Sequence, residues 1–462
     1  MRTPSPRHPT PRLAGGTTGP GALRPLLDIV LRALEDGAEA RGGPLPAGGP
    51  EAVAARVRDL LRDPLPAHGH DPGHALRDLV RTLAEGSADP ADPLCAAHLH
   101  TPPLALAVAA DLAAAALNPS MDSWDQAPAA SEIEQTVTRA LAAQVYPARP
   151  DPEALVTTGG TESNQLALLL ARERAPGTPL RVVCGTDTHH SVHRAAWLLG
   201  LPAPVTTALD DPDALHRTLT VTPGPALVVA TAGTTDTGRI DPLAAIADIT
   251  AHHGAALHVD AAYGGPLLFS DSRRHLLDGL DRADSVTLDL HKLGWQPVAA
   301  GLLALPTADR AAPLAHTADY LNATDDTDAG LPDLLGRSLR TTRRPDILKT
   351  AVTLRALGRS GLGDLVDRVC TTAQDLADRV AKHPRLELYE RPTLSTVLLR
   401  PTGATDEQTA GIRRTLLTEG TAVLGRARAG GRVWLKATVL NPHTTPERLD
   451  TLIALVEGST PR

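Results

Sequence analysis

Between Ser285 and Lys292 the chain alternates: Val286, Leu288 and Leu290 are apolar, Thr287 and Asp289 polar. A period of two predicts a strand, and this one runs out into His291-Lys292 before Gly294 breaks it. Ala255-Ala-Leu-His-Val259 predicts a second strand, ending in Asp260 in the same way. Leu155 and Val156 belong to a third, which passes through Gly159-Gly160 into the apolar helical run Gln165–Arg172. Two further strands, Arg181–Cys184 and Ala226–Ala230, lead into Thr188–Ala196 and Thr231–Thr235. Strands interleaved with helical stretches predict an α/β fold.

Ligands of open α/β sheets sit just beyond the carboxyl ends of the strands. Here one strand end offers the amine of Lys292 and another the carboxylate of Asp260. That pair is what pyridoxal phosphate needs, a lysine for the Schiff base and an acid for the ring nitrogen. Gly159 and Gly160 let the backbone approach a ligand, and the helix behind them presents unpaired N–H groups. Thr161 and Ser163 add hydroxyls. The turn lacks a P-loop lysine and the third glycine of a dinucleotide fingerprint, so a phosphate is the expected guest; a turn needed only for packing is the alternative. His189, His190 and His193 follow a strand end, where a histidine could stack on a planar ring, act in acid–base chemistry or cap the next helix. No cysteine or carboxylate set with structural-zinc spacing accompanies them, and no metal is expected.

Composition bounds the rest. A chain of 462 residues is long enough for two or three lobes. A net charge of −8 without basic runs gives no reason to invoke nucleic acid. The three cysteines, Cys95, Cys184 and Cys370, are too far apart for a disulfide framework. Aromatic residues make up 2% of the chain, so the core must be built from Leu, Val and Ala. Residues 1–20 are rich in proline and glycine and are expected to be a disordered tail. Neither a signal-like apolar segment nor a run of membrane-spanning length is present, and a cytoplasmic location is expected. Leu26 to Leu34 is apolar at helical spacing and predicts a packing arm over 21–90. His68, His70 and His74 fall in a Pro/Gly-rich stretch and are read as loop histidines. After Arg344 a helix from Asp346 and strands at Ser395–Arg400 and Gly431–Leu440 predict a small α+β lobe.

Taken in order, Thr158-Gly-Gly-Thr-Glu-Ser-Asn164, His189-His-Ser-Val192, Gly233-Thr-Thr235, His258-Val-Asp-Ala-Ala-Tyr263 and Asp289-Leu-His-Lys292 resemble the pyridoxal-phosphate-dependent group II amino acid decarboxylases. The resemblance runs from about Cys95 to Gly458. Within that family His98-Leu-His-Thr-Pro-Pro103, Leu117–Gln126, Tyr320-Leu-Asn322 and Thr341–Arg344 look like the L-2,4-diaminobutyrate decarboxylases and related lysine or ornithine decarboxylases. The resemblance implies fold type I: a mostly parallel central sheet flanked by helices, an N-terminal helical arm and a small C-terminal domain. It divides the chain into an arm at 21–90, a large cofactor-binding domain at 91–344 and a small domain at 345–462, and implies a homodimer with active sites between subunits.

It also implies roles. Lys292 would form the Schiff base, Asp260 would pair with the ring nitrogen, and His189 would stack on the ring. Gly160, Thr161 and His291 would hold the phosphate, with Thr235 and Ala262 lining the ring. For the substrate, His100, Asp122, Asp125 and Lys436 are candidates; an aspartate would accept a distal ammonium, whereas Lys436 reads more simply as a solvated charge. There are two departures from the family pattern. Asp289 stands where many members have asparagine, and Leu334 where many have a tyrosine that protonates the product. The proton donor is left among His189, Tyr320 and Lys292. The expected reaction is decarboxylation of a diamino acid. Oxidative deamination, an acidic or aromatic substrate and an idle cofactor-binding protein are the alternatives.

Overall fold

A computed structural model describes residues 11–175, 177–222 and 224–460. Of the tail expected at 1–20, positions 1–10 lie outside the described residues, and a helix has already begun at Gly19. The described strands are, in chain order, β1 (Cys95–Ala96), β2 (Glu153–Thr157), β3 (Arg181–Gly185), β4 (Val205–Thr207), β5 (Ala226–Thr231) and β6 (Ala256–Ala261). They continue with β7 (Ser285–Asp289), β8 (Gly301–Leu305), β9 (Leu386–Leu388), β10 (Thr396–Pro401), β11 (Val423–Ala429) and β12 (Arg432–Thr438).

Seven of them form a sheet in the order β2-β8-β7-β6-β5-β3-β4. From β7 to β4 all neighbours are parallel, and β8 alone runs against both β2 and β7. Both faces are covered, as a parallel sheet requires. Val183, Val228 and Ala230 pack into one core with Leu243 and Ile246, while their neighbours Val182, Cys184, Leu227 and Val229 pack with Val192 and Ala195. The order of strand ends expected from the sequence is therefore laid along one edge of one sheet.

The second sheet has the order β1-β11-β12-β10-β9, with β1 parallel to β11 and the rest antiparallel. Cys95–Ala96, in the stretch expected to open the large domain, is thus part of the C-terminal sheet. Helix Asp406–Glu419, closed at its start by a Thr405–Gln408 capping box, packs beneath it with Pro446–Gly458. Helix Ile347–Lys382 is bent at Gly358, whose φ of 66° suits glycine. Its Leu362, Val366 and Val369 belong to the large core and its Leu376, Ala377 and Val380 to the small one. At the N-terminus Gly19–Arg41 packs along Pro72–Gly86. No helix of the described residues is long and apolar enough to cross a membrane.

Candidate active site

Parallel pairing sets Thr231 of β5, Asp260 of β6 and Thr287 of β7 side by side. Because side chains alternate along a strand, His258 and Asp260 share a face with Ser285, Thr287 and Asp289. The opposite face of β7, Val286 and Leu288, is core. Beyond this polar face opens a cavity of about 360 Å³. Gly160, Thr161, His189, Thr235, Asp260, Ala262, His291 and Lys292 all line it, as do Leu99, Thr158, Thr231 and Tyr263.

The floor is a glycine turn. Gly159 has φ 153° and ψ −178°, and a Cβ there would lie 3.1 Å from His291 Cε1. A Cβ on Gly160 would lie 3.1 Å from both Ala262 Cβ and Asp289 Oδ2. Gly160 begins helix Gly160–Glu173, so free N–H groups point at the space the glycines leave. Thr161 opens onto it, but Ser163 does not. Its buried hydroxyl bonds to Thr157 Oγ1 at 2.7 Å and donates to the Leu302 carbonyl at 3.2 Å, holding the turn to β8.

Lys292 enters from the end of β7, its Nζ 3.2 Å from Asp289 Oδ2. Asp289 is buried and its other oxygen has no partner; the Nδ1 of His291 and the Oγ1 of Thr231 are likewise unpaired. Buried polar atoms left without partners are rare enough to mark a place where something polar binds. Asp260 is 6% exposed, accepting from Asn164 Nδ2 at 2.7 Å and the Ala262 N–H at 3.1 Å. His189 caps helix His190–Leu198, its Nδ1 accepting from the Ser191 N–H at 3.3 Å. Burial pushes the pKa of His189 below its ordinary value against the pull of Asp260. Burial likewise pushes His291 down, and His258, behind the cavity, down to about 4.

The remaining candidates stand outside the cavity. Tyr320, on the short helix Asp319–Asn322, is 82% exposed, and Leu334 is buried. Asp122 Oδ1 accepts from Gln126 Nε2 at 2.8 Å and Asp125 Oδ1 from Ser123 Oγ at 2.6 Å, so both brace their own turn. His100 is exposed, and its neighbours reach the site instead, Leu99 on the wall and Thr101 donating to the His291 carbonyl at 3.0 Å. Lys436 is no solvated charge. It is 7% exposed and its Nζ donates to the carbonyl of Thr235 at 3.0 Å, behind the wall. Burial lowers its pKa. Sequence reasoning missed Thr158, Tyr263 and the polar group behind Asp260. The signal for that group was present: His258 and Thr287 are polar residues in strands buried on both faces, and Asn164 lies one turn into an apolar helix.

A cradle for an anion, an amine, a buried carboxylate and an imidazole around one cavity fit pyridoxal phosphate, and Asp289, His291 and Thr231, whose unpaired atoms are noted above, all line that cavity. The chain matches the model of the pyridoxal-dependent decarboxylase conserved domain over residues 55–401. It belongs to that family, and it is a pyridoxal-phosphate-dependent carboxy-lyase acting on an amino acid. The L-2,4-diaminobutyrate decarboxylase of Rhizobium meliloti (strain 1021) is 40% identical over 432 residues, covering 89% of this chain and 86% of the relative. Human cysteine sulfinic acid decarboxylase is 34% identical over 63% of each chain. Among solved structures, the glutamate decarboxylase domain of a diaminobutyrate-pyruvate transaminase and L-2,4-diaminobutyrate decarboxylase from Vibrio parahaemolyticus superposes with a TM-score of 0.84. It is 31% identical, with 97% of both chains covered. The fold is therefore that of these decarboxylases.

Proposed function

We propose that the chain decarboxylates an L-amino acid carrying a second, distal amine, 2,4-diaminobutyrate before ornithine or lysine, releasing the amine and CO₂. The observation that carries this is the 40% identity to an L-2,4-diaminobutyrate decarboxylase over nearly the whole chain. Bound cofactor supplies the electron sink for the pair left when the Cα–carboxylate bond breaks. Lys292 would hold the cofactor through its amine. Asp260 would pair with the ring nitrogen through a charge-assisted bond. Gly160, Thr161 and His291 would hold the phosphate, and His189, Ala262 and Thr235 would line the ring. Among the proton donors weighed, Lys292 and His189 are the two that line this chain's cavity.

The functional unit in this reading is a cytoplasmic homodimer. The segment from Tyr320 to Leu335 covers the neighbour's site, which suits a tyrosine left 82% exposed on its own subunit. An active monomer in light scattering would contradict it. The substrate is decided by kcat/KM for diaminobutyrate, ornithine and lysine against glutamate, cysteine sulfinate and tyrosine, with the product identified as amine rather than aldehyde. A clear preference for an acidic or aromatic substrate overturns the diamine reading. Asp122→Asn and Asp125→Asn should lower every substrate equally, because both carboxylates are spent on local hydrogen bonds.

A further inference from the structure

Behind the cavity, five buried side chains share one hydrogen-bond network. Asn164, Ser191, His258 and Thr287 are all 0% exposed, and Asp260 is 6% exposed. Asn164 Nδ2 stands 2.7 Å from Asp260 Oδ2 and 2.9 Å from Ser191 Oγ. A carboxylate only accepts, so the atom facing it is the NH₂ and the amide has one orientation. Its Oδ1 then accepts from Thr287 Oγ1 at 2.9 Å and from His258 Nε2 at 3.0 Å. All four hydrogen-bonding positions of the amide are used. The Asn164 oxygen calls for a hydrogen on His258 Nε2, while Nδ1 lies 2.8 Å from Ser285 Oγ and 3.2 Å from the Ser285 carbonyl.

The second arm runs to the other side of the cavity. Ser191 Oγ receives the Asn164 N–H, so its own hydrogen goes to His189 Nδ1, 2.8 Å away. The backbone N–H of Ser191 also points at that nitrogen, at 3.3 Å, and a backbone N–H cannot reverse. Nδ1 is thereby an acceptor only, and the hydrogen of a neutral imidazole is left on Nε2.

We propose that Asn164 is a positioning residue that orients Asp260 and, through Ser191, turns a second donor, the Ser191 hydroxyl, onto the Nδ1 of His189. One amide thus bears on the charge partner on one side of the cavity and on the imidazole on another. This rests on the reading that Asp260 and His189 face the cofactor, and it adds that the two are not independent.

The groups facing His189 are Asp260, Asp289, Lys292 and the ring of His190, tilted by 42° with its centroid 4.2 Å away. Asp260 and Asp289 favour its protonated form and Lys292 and His190 oppose it. Removing the Ser191 hydroxyl frees Nδ1 in part to take a proton. Ser191→Ala should therefore move the acid limb of the kcat/KM profile to higher pH by roughly half to one unit, the worth of one hydrogen bond. Ser191→Thr, which keeps the hydroxyl, should restore it. Cofactor affinity, read by absorbance titration of the apoenzyme, should stay within about twofold in Ser191→Ala and fall roughly tenfold or more in Asn164→Ala, where Asp260 loses a charge-assisted bond. Asn164→Ala should move the profile in the same direction but by less, since the Ser191 hydroxyl remains beside Nδ1. An unmoved acid limb in Ser191→Ala, or a Ser191→Thr that behaves like alanine, overturns the proposal. If Asn164→Ala does not fold, Asn164→Ser tests the Asp260 arm through cofactor affinity and the serine pair tests the His189 arm. Asp260→Ala and His189→Ala are measured alongside: if they leave cofactor binding and profile intact, the site assignment itself has failed.

Discussion

Gly301 makes no contact with the cavity, yet replacing it should loosen the cofactor. The residue begins β8, opposite Thr157 at the end of β2. A Cβ there would lie 2.4 Å from Gly159 Cα, 2.4 Å from Thr157 Oγ1 and 2.5 Å from Gly159 N. Carbon contacts settle near 3.5–4.0 Å, so the turn must withdraw by about 1 Å. It has little freedom to do so, since Ser163 pins it to β8 and His291 closes the other side. Overpacking of this kind costs about 1–3 kcal/mol. If the strain is relieved by giving up the cradle, Gly301→Ala should weaken cofactor binding by roughly 5- to 150-fold at about 1.4 kcal/mol per decade. Otherwise the same energy appears as lost stability. Absorbance titration of the apoenzyme and urea unfolding measure the two shares, with Gly458→Ala, where a Cβ meets nothing within 4 Å, as control. A Gly301→Ala protein equal to the parent in both measurements would show that the turn is not held as described.

Three other outcomes are expected. Lys292→Ala should lose both the visible absorbance of bound cofactor and turnover, checked by spectrum and CO₂ release. Glu134 and Arg343 form a bidentate pair at 2.6 and 2.7 Å with side chains 2% and 1% exposed, so Arg343→Met should destabilise the protein in urea unfolding by leaving the buried carboxylate only its longer contact with Arg337, at 3.7 Å, a loss below the about 3–5 kcal/mol of a fully unpaired buried charge. His258 is buried neutral with its pKa pushed from 6.5 to about 4, so the unfolded chain takes up its proton first. Its contribution to stability is complete above pH 6.5, falls away as pH drops towards 4, and amounts to about 3 kcal/mol at most. His258→Gln should flatten that part of the stability curve.

The cavity was legible because its main parts stand at strand ends, where a period of two gives way to Asp260 or His291-Lys292. Alternation along β7 also told which residues turn to the core. What depends on a second layer was not legible. Lys436 looked solvated because a lysine usually is; β12 lies between β10 and β11 with every residue from Val433 to Thr438 buried, which only the assembled sheet reveals. Ser163 was read as a cradle hydroxyl from its place near the glycines, but two residues further round the helix than Thr161 its side chain meets β8 rather than the cavity. Asn164 stood out only as a polar residue one turn into an apolar helix, which says nothing of its partners. Its meaning comes from His258, Thr287 and Ser191, three separate segments that meet only in the fold.

The two-residue strand β1 imposes an order on the birth of the molecule. Its partner β11 lies in the last part of the chain, and the Val423 N–H reaches back to the Leu94 carbonyl at 2.9 Å. While the ribosome is still making the large sheet, the segment around Cys95 has left the tunnel without the partner that makes it a strand. The small sheet therefore closes only after Val423 has been made, joining the first and last parts of the described chain in one late step.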